Sequence, residues 1–376
     1  MTSDDRKEAA DLGAEFARRE ILPHVEEWEE AGELPRDLHL KAARQGLLSM
    51  GYPEEYGGGG SHLDIMAAEE ALIAEGVPTG VLASLFTHGI AIPSILRHGT
   101  EEQKDRFVRP ALAGEKIASL AVTEPGGGSD VANLRTKAVR DGDHYIVNGS
   151  KTFITSGTRA DFVTTAVRTG GPGHKGVSLL VVEKGTPGFT VSRKLDKMGW
   201  RSSDTAELAF SDARVPAENL IGAENKGFRM IMEQFQGERL SIALQCVAVA
   251  QRCLDLSIAW ARDRETFGSP LASKQVIRHK IAEMARQVSV ARTYVWTVAE
   301  RWDRGEEVST EASMAKNTAV YTAEHVVHEA VQIHGGMGYM RESEVERHYR
   351  DIRIMGLGGG TSEIMNEIIA ARILGL

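Results

Sequence analysis

The sequence lacks most of the features that would assign a class at once. Its 376 residues include only two cysteines, Cys246 and Cys253. They fall on one face of a helical pattern but about two turns apart, too far for a bridge. A disulfide-stapled secreted scaffold is excluded, and two core thiols in a reducing cytoplasm are expected. No uninterrupted apolar run approaches the roughly 18 residues of a membrane helix, so no membrane span is expected. Met1 to Arg6 is polar, with no apolar stretch behind it, and does not resemble a secretory signal. Excess positive charge is missing too. The net charge of −9 argues against non-specific nucleic-acid binding. The histidines show no metal-ligand spacing, and no metal is expected. No Gly-x-Ser-x-Gly elbow is present, which argues against a serine hydrolase. There is no internal repeat and no low-complexity tract. What remains, 42% hydrophobic and 26% charged, is the composition of an ordinary globular protein of two or three domains.

The apolar period divides the chain into three blocks. Up to about residue 118 it is helical. Ala9, Leu12, Phe16 and Ile21 form a stripe that stops at Pro23. Leu38, Leu40, Ala43 and Leu47 form another. Further helices are expected over 63–75 and 80–96. Tyr56 and the glycines at 57–60 predict a flexible surface loop. Thr100 and Gln103 form a capping-box pattern for a helix over 101–113. Near Ile117 the period shortens to that of strands. A hairpin is expected over 137–147 around Asp141-Gly142-Asp143, with strands at 152–155, 162–167, 177–182 and 206–210. From Lys226 the helical period returns, over 227–261, 273–302, 310–333, a short stretch near 345–351, and 362–374. A mainly α protein with a central β domain follows, with domains at 1–118, 119–222 and 223–376.

At the first change of period, Leu120-Ala121-Val122-Thr123 runs through Glu124 and Pro125 into Gly126-Gly127-Gly128-Ser129-Asp130. A strand breaking into such a loop exposes backbone N–H groups to a phosphate or pyrophosphate. A plain turn has the same appearance. The dinucleotide fingerprint is not there, and no P-loop lysine follows the glycines. Phe153 is a core residue by default, but in a cofactor site it could stack on a flat ring beside Thr155. Arg264 either solvates a helix end or forks onto a pyrophosphate. Gln332 to Gly338 is a helix C-cap or part of a site. Gly358 to Glu363 precedes the last helix, where Thr361 or Ser362 caps it or free N–H groups receive an anion or a carbonyl oxygen.

One residue interrupts an apolar stripe. Phe228, Ile231, Met232 and Phe235 are followed by Ile242, Ala243, Cys246, Val249 and Ala250, and the position between is Glu238. A carboxylate on that face is costly to bury and its pKa should rise. Either it lies at the stripe's edge and pairs with a distant arginine, or it is a general base in a dry cleft. Arg239, next to it, should point elsewhere around the helix.

Taken in order, these motifs resemble the acyl-CoA dehydrogenase family over nearly the whole chain. The resemblance implies a helical domain, a β-barrel-like domain and a C-terminal four-helix bundle, with FAD as cofactor and usually a homotetramer built as a dimer of dimers. It places Leu120, Val122, Thr123, Gly128, Ser129, Phe153, Ile154 and Thr155 around the flavin. Arg264, Phe267, Gln275, Gln332, Gly335 and Gly336 would come from a neighbouring subunit, and Thr361 and Glu363 would complete the FAD site. Ser129, Arg239, Gly359 and Gly360 would border the substrate. Phe153 stands where many members have Trp, and Asn133 where the family usually has a small residue. Many members carry the catalytic Glu at the position of Gly359. A branch similar to isovaleryl- and long-chain acyl-CoA dehydrogenases has it before an Arg-Leu pair, here Glu238. The implied reaction is α,β-dehydrogenation of an acyl-CoA to a trans-2-enoyl-CoA. Glu238 is then the general base, flavin N5 takes hydride, and an electron-transferring flavoprotein receives the electrons. The alternatives are an acyl-CoA oxidase using O2 and a non-catalytic acyl-CoA-binding partner subunit. By the same resemblance 80–96 borders the acyl tail, where Val81, Leu82, Leu85 and Gly89 suggest an open apolar wall for medium, long or branched chains.

Overall fold

The computed structural model describes residues 3–376; Met1 and Thr2, the start of the polar leading segment, lie outside the described residues. The first block holds α1 (Ser3–Phe16), α2 (Val25–Ala31), α3 (Arg36–Arg44), α4 (His62–Ala74), α5 (Thr79–Leu85), α6 (His88–Ala91), α7 (Pro93–His98), α8 (Glu101–Gln103) and α9 (Arg109–Leu112). The helix expected over 80–96 is three short ones. Thr87 donates its hydroxyl back to the carbonyls of Ala83 and Ser84, which ends α5, and Pro93 starts α7. Val81, Leu82 and Leu85 are packed into the core, so they do not form the open wall expected of them. The loop at 57–60 lies at the surface, with Gly57 and Gly60 exposed, but it is anchored at two points. Tyr56 is buried under the Arg109 guanidinium, and a Cβ on Gly58 would meet the Tyr52 carbonyl oxygen at 2.1 Å.

The capping box at Thr100 is present: its hydroxyl accepts from the Gln103 N–H, and the Gln103 side chain accepts from the Thr100 N–H. Gln103 Nε2 also reaches the carbonyls of Glu218 and Leu220 at 2.6 and 2.8 Å, tying this helix start to the β block. Thr100→Ala is expected to cost about 1 kcal/mol. Denaturant titration checks it, and an unchanged midpoint would show the cap to be idle.

The second block is one curled seven-stranded sheet. Its strands are β1 (Ala118–Ala121), β2 (Lys137–Asp141), β3 (His144–Thr155), β4 (Phe162–Arg168), β5 (Val177–Glu183), β6 (Phe189–Lys194) and β7 (Thr205–Pro216). Their order is β1-β4-β2-β3-β7-β6, with β5 also on β4. The segments expected at 144–147 and 152–155 are one strand, because the polar run Asn148-Gly149-Ser150-Lys151 hides the continuity. β6 escapes the sequence pattern because nearly all its residues are exposed.

The third block starts with α10 (Gly227–Asp263), followed by the small hairpin β8 (Glu265–Thr266) and β9 (Ser269–Pro270). Then come α11 (Gln275–Asp303), α12 (Ser309–His334), α13 (Glu344–Ile352) and α14 (Ser362–Leu374). Length and composition alone would let α10 cross a membrane, yet 61% of its apolar window is buried inside the protein, as befits a core helix. Two cores meet along it. Met230 and Ile231 pack with α7, α9 and strands of the sheet. From Leu240 onward α10 packs instead with α1, α4, α11 and α12. Glu238 sits at the handover. The helical blocks from the two ends of the chain thus share one core, with the sheet set against them.

Candidate active site

The glycine loop is anchored by a buried ion pair. Glu124, directly after β1, accepts from the backbone N–H groups of Arg135 and Thr136 at 2.6 and 2.8 Å and from Lys151 Nζ at 2.9 Å. Lys151 is fully buried and also donates to the Val122 carbonyl. Burial alone would raise the Glu124 carboxyl, but the Lys151 charge and the Thr136 donors outweigh it and hold it low. Lys151 is the more deeply buried partner, so desolvation wins on its side and brings it to about 8. Both directions leave the pair charged at neutral pH. The Thr152 N–H donates to the Thr123 carbonyl, which fixes the strand end against β3. None of the three glycines takes a left-handed backbone. Beside Gly126 and Gly127 the space is open, and Ser129 is exposed.

On β3 the register against β7 slips between Lys151 and Ile154. Inside that bulge Phe153 takes φ +60 and leaves its ring 70% exposed. A bulky residue in the left-handed region is strained, and such strain collects at sites where a side chain must be aimed. Phe153 is therefore not the core residue its default assignment makes it. Ile154 is: it points into the sheet core. Thr155 is half-buried and accepts the Ser119 hydroxyl on its carbonyl at 2.6 Å.

Glu238 makes no ion pair with a distant arginine among the described residues. Its side chain is partly buried, and Oε2 is closed to water with no hydrogen-bond partner there. Burial pushes the carboxyl above its ordinary value, while the Lys316 and Arg239 charges pull it back. Arg239 is not turned out to solvent but buried, with its Nε also lacking a partner among the described residues. Two consecutive residues of α10 thus carry buried polar atoms without a partner among the described residues, and such atoms call for a group from outside the chain. Opposite them is the turn before α14. A Cβ on Gly359 would lie 3.4 Å from Glu238 Oε1, so the two sequence positions compared above face each other in space. Gly359 and Gly360 both have positive φ. Thr361, not Ser362, caps α14 by accepting from the Ile364 N–H, and Glu363 is exposed in its first turn.

The remaining residues lie at the other end. At about 1.5 Å of rise per residue, roughly 39 Å of α10 separates Glu238 from Arg264. Phe267 is 99% exposed on the turn of the β8–β9 hairpin, with φ +52. Gln275 starts α11 beside a surface pocket of about 480 Å³ against α12. Gln332 is exposed, and Gly335 ends α12 with φ +61, so a helix C-cap is indeed there, followed by exposed Gly336. Within one chain the length of α10 keeps Arg264 and the hairpin that follows it away from Glu238.

Family models match along the whole length: the acyl-CoA dehydrogenase N-terminal domain over residues 3–115, the middle domain over 119–213 and the C-terminal domain over 225–374. The chain belongs to the acyl-CoA dehydrogenase family. It is 65% identical to a solved probable acyl CoA dehydrogenase from Mycobacterium abscessus, covering 99% of each chain with a TM-score of 0.98. It is 40% identical over 363 residues to the long-chain specific acyl-CoA dehydrogenase of Mus musculus mitochondria, covering 96% of this chain and 84% of that one. A glutaryl-CoA dehydrogenase from Mycobacterium smegmatis, solved in complex with FADH2, is 28% identical with a TM-score of 0.93, covering 100% of this chain and 96% of that one. Acyl-CoA dehydrogenases are FAD flavoproteins, and this chain is an oxidoreductase of that family.

The chain has features that fit such a cofactor: an exposed ring held in a strained bulge, an open glycine loop, and buried orphaned polar atoms on Glu238 and Arg239. Two parts of the site carry no motif of their own. Glu124 and Lys151 lie in two separate sequence segments, and their pairing is a contact between the loop after β1 and β3. Lys316 is a charge within the alanine face of α12, between Ala312, Ala315 and Ala319. It interrupts an apolar stripe just as Glu238 does, so the same pattern marks it in the sequence.

Proposed function

We propose that this acyl-CoA dehydrogenase converts an acyl-CoA thioester to its trans-2-enoyl-CoA with Glu238 as general base. The observation that supports this most is Glu238, at the junction of two cores and facing Gly359, whose Oε2 has no partner among the described residues. The carboxylate takes the α-proton, and its position away from bulk water favours a base tuned upward from its ordinary value. The Gly359 N–H is the donor we assign to the thioester oxygen, where negative charge develops as the α-proton leaves. Arg239, Gly360 and Ser129 border the substrate. FAD, when bound, supplies the acceptor for the β-hydride at its N5. Leu120, Val122, Thr123, Gly128, Ser129, Phe153, Ile154 and Thr155 would hold its flavin end, Phe153 with its ring and Ile154 through its backbone. Thr361 and Glu363 would close the site.

Arg264, Phe267, Gln275, Gln332, Gly335 and Gly336 serve a second cofactor site, on a neighbouring copy. Their separation from Glu238 along α10 and their exposure support that reading, and a homotetramer of two dimers satisfies it. An electron-transferring flavoprotein is the assigned electron acceptor, and the cytoplasm, which suits two free buried thiols, the assigned compartment.

Anaerobic titration of the yellow holoenzyme with short, long and branched acyl-CoAs tests the reading. At least one should bleach the flavin and yield a product two hydrogens lighter. No bleaching by any of them would overturn it. Colour returning rapidly in air, with hydrogen peroxide formed, would assign an oxidase instead; reoxidation by electron-transferring flavoprotein alone is the expected result.

A further inference from the structure

The glycine turn facing Glu238 is held from behind by a side chain that the reaction above does not use. Lys316 of α12 is fully buried. Its Nζ donates to the Gly358 carbonyl at 2.5 Å and to the Gly360 carbonyl. One ammonium group thus bridges the two carbonyls that flank Gly359, whose φ is +62. The geometry of the trans peptide carries this further. The Gly358 C=O and the Gly359 N–H belong to one plane and point in opposite directions. With the carbonyl turned onto Lys316, the Gly359 N–H is turned away from it, and it donates to no other group among the described residues. Lys316 also lies close to the base. The point where a Gly359 Cβ would sit is 3.6 Å from Lys316 Nζ and 3.4 Å from Glu238 Oε1.

We propose that Lys316 is a positioning residue for the reaction: its double clamp aims the Gly359 N–H into the cleft, and it sets a positive charge beside Glu238. This rests on Glu238 being the base. The charged groups acting on Glu238 are Lys316 from α12 and Arg239 from its own helix. Those acting on Lys316 are Glu238, Cys246 and Arg239. Burial lowers the Lys316 amine to about 8, which leaves it protonated at neutral pH. Without that charge, Arg239 alone among the described residues offsets the desolvation of Glu238.

The test is the pH profile of kcat/KM for the holoenzyme and for Glu238→Gln, Lys316→Gln and Lys316→Arg, each with its FAD content measured. The native enzyme should gain activity as pH rises through an acid limb, and Glu238→Gln should lose that limb. Lys316→Gln keeps a donor but not the charge, so its limb should move up by about one pH unit. Lys316→Arg keeps the charge but not a point donor between two carbonyls. Its limb should stay in place while kcat falls about tenfold or more. A limb present in the native enzyme, lost in Glu238→Gln and unmoved in a folded Lys316→Gln overturns the charge role alone. A limb unaffected by Glu238→Gln overturns the base instead. Should Lys316→Gln not fold, Lys316→Arg decides: native kcat and limb with full FAD would overturn the inference.

Discussion

Glu238→Gln is expected to purify with its yellow cofactor and to lose about 10²-fold or more in turnover, the usual worth of a general base. The substitution is close in volume and leaves Phe153, Thr123 and the glycine loop untouched, so cofactor binding has no reason to fail. What changes is the group that faces Gly359. The Oε2 that now lacks a partner gives way to an amide that cannot take a proton. Near-native turnover in that variant would remove the base from Glu238. The facing position offers a sharper form of the experiment. Gly359→Glu would bring a carboxylate from the other wall, but the Cβ would fall 2.5 Å from Ile242 Cδ1, and φ +62 disfavours any side chain there. Partial recovery of turnover is therefore expected in Glu238→Gln/Gly359→Glu only when Ile242→Ala makes room. Recovery without the Ile242 change would show the wall to be softer than its packing implies.

Breaking the Glu124–Lys151 pair should be strongly damaging to stability. Lys151→Met leaves a nearly fully buried carboxylate with two backbone donors and no countercharge, a loss of about 3–5 kcal/mol. Denaturant midpoints of holoenzyme and apoenzyme measure it, and a fall under about 1 kcal/mol would discard the argument. Lys151→Met/Glu124→Gln should recover part of the loss, because the uncompensated charge is gone. The pH dependence follows from the direction of the carboxyl shift. Glu124 is held below its ordinary value of about 4.5, so its contribution is complete above that pH and fades as pH falls through the lower folded value. The gap between the native protein and Glu124→Gln should accordingly close in acid. The same pair fixes the end of β1, so Lys151→Met should also weaken FAD retention.

Much of the fold is legible in the local pattern because the pattern is local. Helical and strand periods mark which side of each element must be buried, and the order of the three blocks follows from where the period changes. The errors have equally local causes. The interior of β3 is polar, β6 buries almost nothing, and Thr87 and Pro93 interrupt a stripe that looks continuous.

Sequence alone identified an acidic residue where an apolar stripe required a greasy one, and it named the loops able to meet a phosphate. Periodicity can do that because burying a charge is costly enough to be noticed wherever it occurs. Which groups surround that charge was decided only by tertiary packing. Residues 238, 316 and 359 lie on three separate elements, as do 124 and 151 on theirs, and no period connects them. The strained ring at 153 is likewise set by a register slip against a neighbouring strand. Contacts of that kind exist only once the two cores have formed and α10 has been laid across both.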